Sequence, residues 1–408
     1  MLGGIGRALS HRDYCVYWAS NGINTIGRWM YRIAVGWLTW ELTESTVWLG
    51  IVAFAETFPL VIFSIIAGAL ADRIGYIRIT FLAQVATALV AVAFSAFTLI
   101  GWITIELILL FTLLIGSLES LTTPARIALA HALVPKQDLA AAISLQSATF
   151  NGCRFVGPAI ASVIIAFAGS GTVLAIVAGT FIQFCFILTF IRAEEPERHP
   201  GPWRNLIKDM SDGVIYSVNH AGIRFLLIML GVTGFLIRPV IELMPAISSK
   251  IFDGGSTGFG ILISAIGLGA MISCLWIGVR GQTAGLTRLV THSLWVQGIV
   301  LILATLTGYI WIASVFLGIV GFAMLVGGVG SQTLIQNTVR PDIRARVISL
   351  FIVISWGTPA IGALIAGWVA NFAGLAITFA AGGAMTAALW LRARRLVPKL
   401  ENDLENSD

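Results

Sequence analysis

Runs of about twenty apolar residues, the length an α-helix needs to cross about 30 Å of hydrocarbon, recur along the whole of this 408-residue chain. Marked off at their short polar or glycine-bearing breaks, they give spans over 14–40, 46–70, 79–100, 103–124, 140–167 and 171–191, then 224–247, 258–279, 286–307, 309–335, 346–370 and 373–391. The long hydrophilic stretch between the sixth and seventh spans holds Glu194, Glu195, Pro196, Glu197, Pro200, Pro202, Lys208 and Asp209, which read as a linker. Charged residues are 11% of the chain, against about 25% in a soluble domain, so an ordinary soluble enzyme and a disordered chain are both excluded. In lipid every backbone polar group must be satisfied within the protein. The expected fold is therefore an all-α polytopic membrane protein, with twelve transmembrane helices in two pseudo-symmetric six-helix bundles. Its expected parts are an N-terminal bundle (1–191), a cytoplasmic linker (192–223), a C-terminal bundle (224–396) and a cytoplasmic tail (397–408).

The 25 basic and 20 acidic residues leave a net charge of only +5, too little for a nucleic-acid binder and better read as a topology signal. With the N-terminus in the cytoplasm, twenty basic residues fall in inside segments, Arg126 among them, and Lys250 alone falls outside. Arg28, Arg32, Arg154 and Arg238 fall within spans. One missed helix would invert every later loop, so this bias supports the span count and a multi-pass protein of a bacterial inner membrane with both termini inside. The first residues carry Arg7, His11 and Arg12 without an apolar core, which reads as an amphipathic lead-in and not a signal peptide. Cys15, Cys153, Cys185 and Cys274 lie in apolar runs without CxxC or Cys/His spacing and read as small core hydrophobes. No metal or other cofactor is expected. The five histidines are scattered, with no HExxH, acidic metal pair or P-loop, so neither a membrane enzyme nor an ATP-driven pump is expected.

A shift of 205 residues lays Ile143-Ser144-Leu145 on Ile348-Ser349-Leu350, Gly157 on Gly362, and Phe167-Ala168-Gly169 on Phe372-Ala373-Gly374. Spans five and eleven thus match at about half the chain length, which points to duplication. Two parallel halves imply a substrate path near the bilayer midplane.

The loop after span two reads Gly68-Ala69-Leu70-Ala71-Asp72-Arg73-Ile74-Gly75-Tyr76-Ile77-Arg78, and it resembles the G-x-L-A-D-R-x-G-x-x-R/K signature of the major facilitator superfamily. Further stretches resemble its enterobactin-exporter and macrolide-efflux branch. They are Tyr17-Trp18, Gly27-Arg28-Trp29-Met30, Glu41-Leu42-Thr43-Glu44-Ser45, Pro124-Ala125-Arg126, Leu133-Val134-Pro135, Asn151 to Pro158, and Arg340 to Val347. The resemblance covers nearly the whole chain. It implies the major facilitator fold, proton-coupled export, and a conformational latch at Gly68, Asp72, Arg73, Gly75 and Arg78. Gly157-Pro158 resembles the core of an antiporter motif, so Gly157, Pro158 and Gly362 are expected as hinge or packing positions.

Ionisable groups inside a membrane are costly, about 2.5–3.5 kcal/mol each at a helix centre on insertion scales, and usually face a cavity and a partner. Arg32 with Glu56 reads either as a proton site or as a structural ion pair. Glu119, Gln146, Asn151 and Arg154 would build a polar lining in the first half, with Arg154 either touching substrate or packed on a carbonyl. Arg238 and Glu242, four apart on span seven, either line the path where Pro239 and Pro245 bend the helix or neutralise one another. Trp37, Phe150, Gln332, Gln336 and Trp356 complete the expected cavity lining. Such a cavity suits an amphipathic organic substrate.

The expected activity is alternating-access, proton-coupled efflux of a drug, siderophore or metabolite by a monomer in a lipid bilayer, with Glu56, Glu119 and Glu242 as candidate proton carriers. A symporter or facilitator importing a small solute is one alternative. A membrane receptor or scaffold without transport is another.

Overall fold

The computed structural model describes residues 2–191, 204–340 and 343–405. Within them, the side chains of 2–4, 64–69, 71–73, 131, 136, 204–210 and 402 lie outside the description. Among the described residues the regular structure is helical throughout. The first part of the chain forms α1 (Leu2–Ser10), α2 (Arg12–Thr43), α3 (Thr46–Ile74), α4 (Tyr76–Ile100), α5 (Ile105–Ala132), a 3-10 turn at Lys136–Asp138 and α6 (Leu139–Leu188). The second forms α7 (Arg204–Asn219), α8 (Ala221–Leu236), α9 (Pro239–Glu242), α10 (Met244–Phe252), α11 (Gly255–Arg280), α12 (Leu286–Leu306), α13 (Ile310–Thr338), α14 (Arg344–Ala373), α15 (Leu375–Ala393) and α16 (Val397–Glu405). Two compact units result: Met1–Thr43 with Ala55–Trp203, and Glu44–Phe54 with Arg204–Asp408.

Ten stretches of the described residues are long and apolar enough to cross a membrane. One of them, α6, runs 50 residues and breaks at Gly169, the boundary expected between the fifth and sixth spans. The first expected span lies in α2, which is 32 residues long but carries Asn21, Asn24, Arg28, Arg32 and Glu41 and falls outside the ten. The seventh expected span is split into α8, α9 and α10. Pro239 and Pro245 open α9 and α10, where a residue without an N–H can start a helix but not continue one. Part of the stretch expected as linker, 192–203, lies outside the described residues, and the rest includes α7. The stretch expected as a tail forms α16 as far as Glu405.

The 205-residue repeat extends to backbone geometry and helix packing. Gly169 sits at φ 77°, ψ 168° and Gly374 at φ 84°, ψ 156°, a region that costs an L-residue strain and glycine almost none. Gly157 lets α6 approach α2 at Ile26 and Trp29, and Gly362 lets α14 approach α8 at Phe235. Lipid gives apolar helices no hydrophobic reason to associate, so such close backbone contacts are a main source of helix–helix affinity. Of the four free cysteines, Cys153 is buried; Cys15, Cys185 and Cys274 are only half-buried, less so than a core role requires.

The two units also share a clasp at one helix end. In the first, Asp138 is buried and takes Arg7 Nε at 3.1 Å and His11 Nε2 at 3.1 Å, which ties α1 to the turn before α6. In the second, Asp212 of α7 takes Arg346 Nη1 of α14 at 3.0 Å. Positions 7 and 212 are related by the shift of the repeat, with the charge reversed. At the same end of the second unit the Glu405 carboxylate accepts the backbone N–H groups of Gly285 and Thr287, and Glu401 pairs with Arg288 at 2.9 Å. This docks α16 on the start of α12, with Leu400 and Leu404 buried beneath it.

A methyl group at Gly362 would lie 2.8 Å from the Phe235 Cα, whereas one at Gly231 meets only side-chain methyls at ordinary contact distance. Gly362→Ala is expected to cost about 1–3 kcal/mol by overpacking, seen as a lowered melting point in detergent, and Gly231→Ala much less. The hydrogen bonds from His11 and Arg7 hold the Asp138 carboxyl below its usual range. This stabilisation is therefore complete above the ordinary value of about 3.9 and is lost as pH falls through the lowered one. A spin label on α1 should stay immobile down to about pH 4 and become mobile only at still lower pH, whereas in Asp138→Asn it should already be mobile at neutral pH.

Candidate functional site

Polar groups inside the first unit converge on Glu119 of α5. Glu119 is buried; one carboxylate oxygen forms an ion pair with Arg28 Nε of α2 at 2.9 Å without hydrogen-bond geometry, and the other accepts from Arg126 Nη2 at 3.4 Å. Glu119 and Arg126 are seven residues apart on α5, two turns along one face. Asn24 and Arg28 are one turn apart on α2, so the spacing on each helix sets its charges opposite the other's.

Arg126 is the best-enclosed member of the group. Its Nη1 donates to Asn24 Oδ1 at 3.0 Å, its Nη2 donates to Gln84 Oε1 of α4, and its guanidinium lies 4.9 Å from the centre of the Phe184 ring of α6. The buried Tyr17 hydroxyl donates to the Arg126 carbonyl at 3.0 Å. Four helices thus contribute one group each to a single guanidinium. Arg28 differs, with a third of its side chain exposed. One carboxylate thus pairs with two guanidinium groups, one buried with its Nε unpartnered and the other partly exposed.

With the fourth span ending at 124, Arg126 is expected in an inside segment. That placement is corrected here. The helix passes through Pro124 to Ala132, and Arg126 is 5% exposed. The clue in the sequence is the apolar quartet 127–130, which continues the helical pattern beyond the arginine. Asn24 and Gln84 carry no comparable mark.

The other candidate residues are dispersed. The ion-pair partners of Glu119 are Arg28 and Arg126. Asn151 donates its amide to the Ser147 carbonyl of its own helix at 2.9 Å, and Gln146 is half-buried. The Arg154 guanidinium lies 5.5 Å from the Trp29 ring centre, and Trp29 meets Phe150 edge-on at 5.9 Å. Arg32 and Glu56 are half-buried on α2 and α3, and Gly116 of α5 packs against the Glu56 backbone. In the second unit Arg238 Nη1 donates to the Ser355 carbonyl at 2.8 Å and stands 6.0 Å from the Trp356 ring centre. Glu242 is half-buried at the end of α9. Trp37 is buried, Gln332 half-buried and Gln336 exposed. Gly157, Pro158 and Gly362 are buried in helix contacts. Of the expected latch, Gly75 precedes α4 at φ 100° and Arg78 is exposed. Gly68, Asp72 and Arg73 lie in α3, but their side-chain placement falls outside the described residues.

The sequence profile of the transmembrane secretion effector family matches residues 7–408. The chain belongs to this family, a branch of the major facilitator superfamily. It is 28% identical to the staphyloferrin A transporter of Staphylococcus aureus (strain NCTC 8325 / PS 47), covering 96% of this chain and 98% of that one. It is 25% identical to macrolide efflux protein A of Streptococcus pyogenes, over 82% and 83% of the two chains. The fold matches the crystal structure of the nucleoside transporter NupG with a TM-score of 0.73, at 13% identity, over 94% of this chain and 99% of that one. The protein is accordingly a multi-pass membrane transporter of this family, and its relatives are transporters.

Arg126→Leu would remove the donor from Glu119, Asn24 and Gln84 together, at an expected cost of about 3–5 kcal/mol. Arg28→Leu leaves Glu119 paired with Arg126 and should cost markedly less. Thermal unfolding of the two variants in detergent checks the order. Equal losses would mean that Arg126 does not anchor the network.

Proposed function

We propose that this transporter exports an amphipathic organic compound in exchange for protons, by alternating access, with Glu119 as the proton carrier. The observation that carries the proposal is the position of Glu119 between a fully enclosed arginine and a partly open one. Protonation of Glu119 removes the charge that holds Arg28, while Arg126 keeps Asn24 and Gln84 as acceptors. The proton is thereby converted into a change at one exposed guanidinium, the kind of local event that shifts a balance between two transporter states. The efflux and siderophore-transport relatives support the direction of transport and the substrate class.

In this reading the chain crosses a bacterial inner membrane twelve times, as a monomer with both termini in the cytoplasm. Glu56 and Glu242 are secondary carriers, and Arg32, Asn151, Arg154 and Arg238 line the substrate route together with Trp37, Gln146, Phe150, Gln332, Gln336 and Trp356. Gly68, Asp72, Arg73, Gly75 and Arg78 form the latch, and Gly157, Pro158 and Gly362 support packing or hinging.

The test is proton movement in proteoliposomes, followed with a pH-sensitive dye, on adding a macrolide or staphyloferrin A. Glu119→Gln, which mimics the protonated acid, is expected to lower substrate-driven proton flux by about tenfold or more while the protein still binds substrate. Unchanged proton flux in that variant would remove Glu119 from the coupling.

A further inference from the structure

On the membrane-facing side of the second unit, one cluster of polar and aromatic groups takes no part in the site around Glu119. His292 of α12 and Trp390 of α15 are joined by a hydrogen bond from the indole Nε1 to His292 Nδ1 at 3.3 Å. An indole N–H only donates, so Nδ1 accepts and the imidazole proton sits on Nε2. Trp295 lies three residues beyond His292 on the same face, with its ring centre 6.0 Å from that of Trp390. The Arg394 guanidinium covers the Trp390 ring at 4.8 Å. His292, Trp295 and Arg394 are exposed, as are Arg392 and Arg395 beside them.

Both helices are long and apolar enough to span a membrane, and the cluster lies in the second turn of α12 and the last turn of α15, the end that carries α16. A tryptophan at such a depth ordinarily turns its N–H towards the headgroups. Here the N–H is committed to His292, so the ring is a fixed platform, and the outward polar groups are the His292 Nε2–H and the Arg394 guanidinium. The nearest arginine on α12, Arg288, is already paired with Glu401. Among the described residues no carboxylate pairs with Arg392, Arg394 or Arg395. Further along the face of α12 that carries His292 and Trp295, Leu303 is also exposed. Arg394, with exposed Arg392 and Arg395 beside it in sequence, and a preset N–H donor therefore stand at the end of a helix face that exposes Trp295 and Leu303.

We propose that this cluster binds the headgroup of an anionic glycerophospholipid. The phosphate accepts from the Arg394 guanidinium and the His292 Nε2–H, and an acyl chain lies along Trp295 and Leu303. An arginine fork matches a phosphate in a way a point charge does not, and basic sites at the ends of spans attract anionic lipid. The cluster lies wholly within the second unit, so the proposal stands independently of the substrate or the coupling ion.

Native mass spectrometry of the full-length protein in detergent, titrated with phosphatidylglycerol and with phosphatidylethanolamine of the same acyl chains, tests it. Phosphatidylglycerol should be retained preferentially, and excess inorganic phosphate should not displace it. Arg394→Gln and His292→Ala should each lower the phosphatidylglycerol-bound fraction, by about fivefold for the arginine, while Arg12→Gln, at an exposed arginine of the first unit, leaves it unchanged. Equal retention of the two lipids by the unaltered protein overturns the proposal. So does displacement by inorganic phosphate, or a loss at Arg12→Gln as large as that at Arg394→Gln. The comparison of the two lipids needs no variant and so remains decisive if a substituted protein fails to fold.

Discussion

Hydrocarbon offers a backbone N–H no partner but another part of the protein, and this constraint shapes nearly everything in the chain. It confines the spans to helices and leaves close packing and internal polar pairing to hold them together. Glycine does the first of these. Gly157, Gly362, Gly298 and Gly321 each let one helix reach the backbone or Cβ of another, a contact any side chain would block. At a few helix starts a side chain meets the open N–H groups. The Glu405 carboxylate takes the N–H groups at the start of α12, and the Thr104 hydroxyl takes that of Leu107 at the start of α5.

The same constraint explains why charge inside the first unit is gathered and not scattered. A lone Arg126 among apolar helices would carry its whole desolvation cost. With Asn24, Gln84, Glu119 and the Phe184 ring around it, the guanidinium offsets part of that cost, although its Nε finds no acceptor. Such a network favours one arrangement of α2, α4, α5 and α6, because each helix contributes one partner and a rotation of any of them would lose a contact to Arg126. Arg28 completes the charge pattern from a more open position, and this asymmetry makes Glu119 the best candidate for coupling.

Much of this was legible in the sequence. Apolar run length marked most of the membrane-spanning helices, and prolines 239 and 245 marked the breaks in the seventh span. The repeat at 205 residues correctly paired Gly157 with Gly362 and Gly169 with Gly374, since a glycine required by backbone geometry is visible at a fixed register. Glu119 stood out because an acid in an apolar run is rare. Its partners did not, because which faces of α2, α4 and α5 meet is decided by tertiary packing and not by any one helix. Arg126 was also misplaced. The expected fourth span ends at 124, whereas α5 continues through Pro124 to Ala132. The roles of α7 and α16 were hidden as well, because short amphipathic helices at a membrane surface have the composition of linkers and tails.

The reversed polarity of the two end clasps bears on how a duplicated chain assembles. Two amphipathic helices, α1 and α7, precede two similar sets of spans, and similar halves invite an exchange of parts. An exchange here would set Arg7 against Arg346 and Asp212 against Asp138, like charge on like in both places. Each lead-in helix is thus keyed to its own half, and the error that gene duplication makes most available is the one the surface charges oppose.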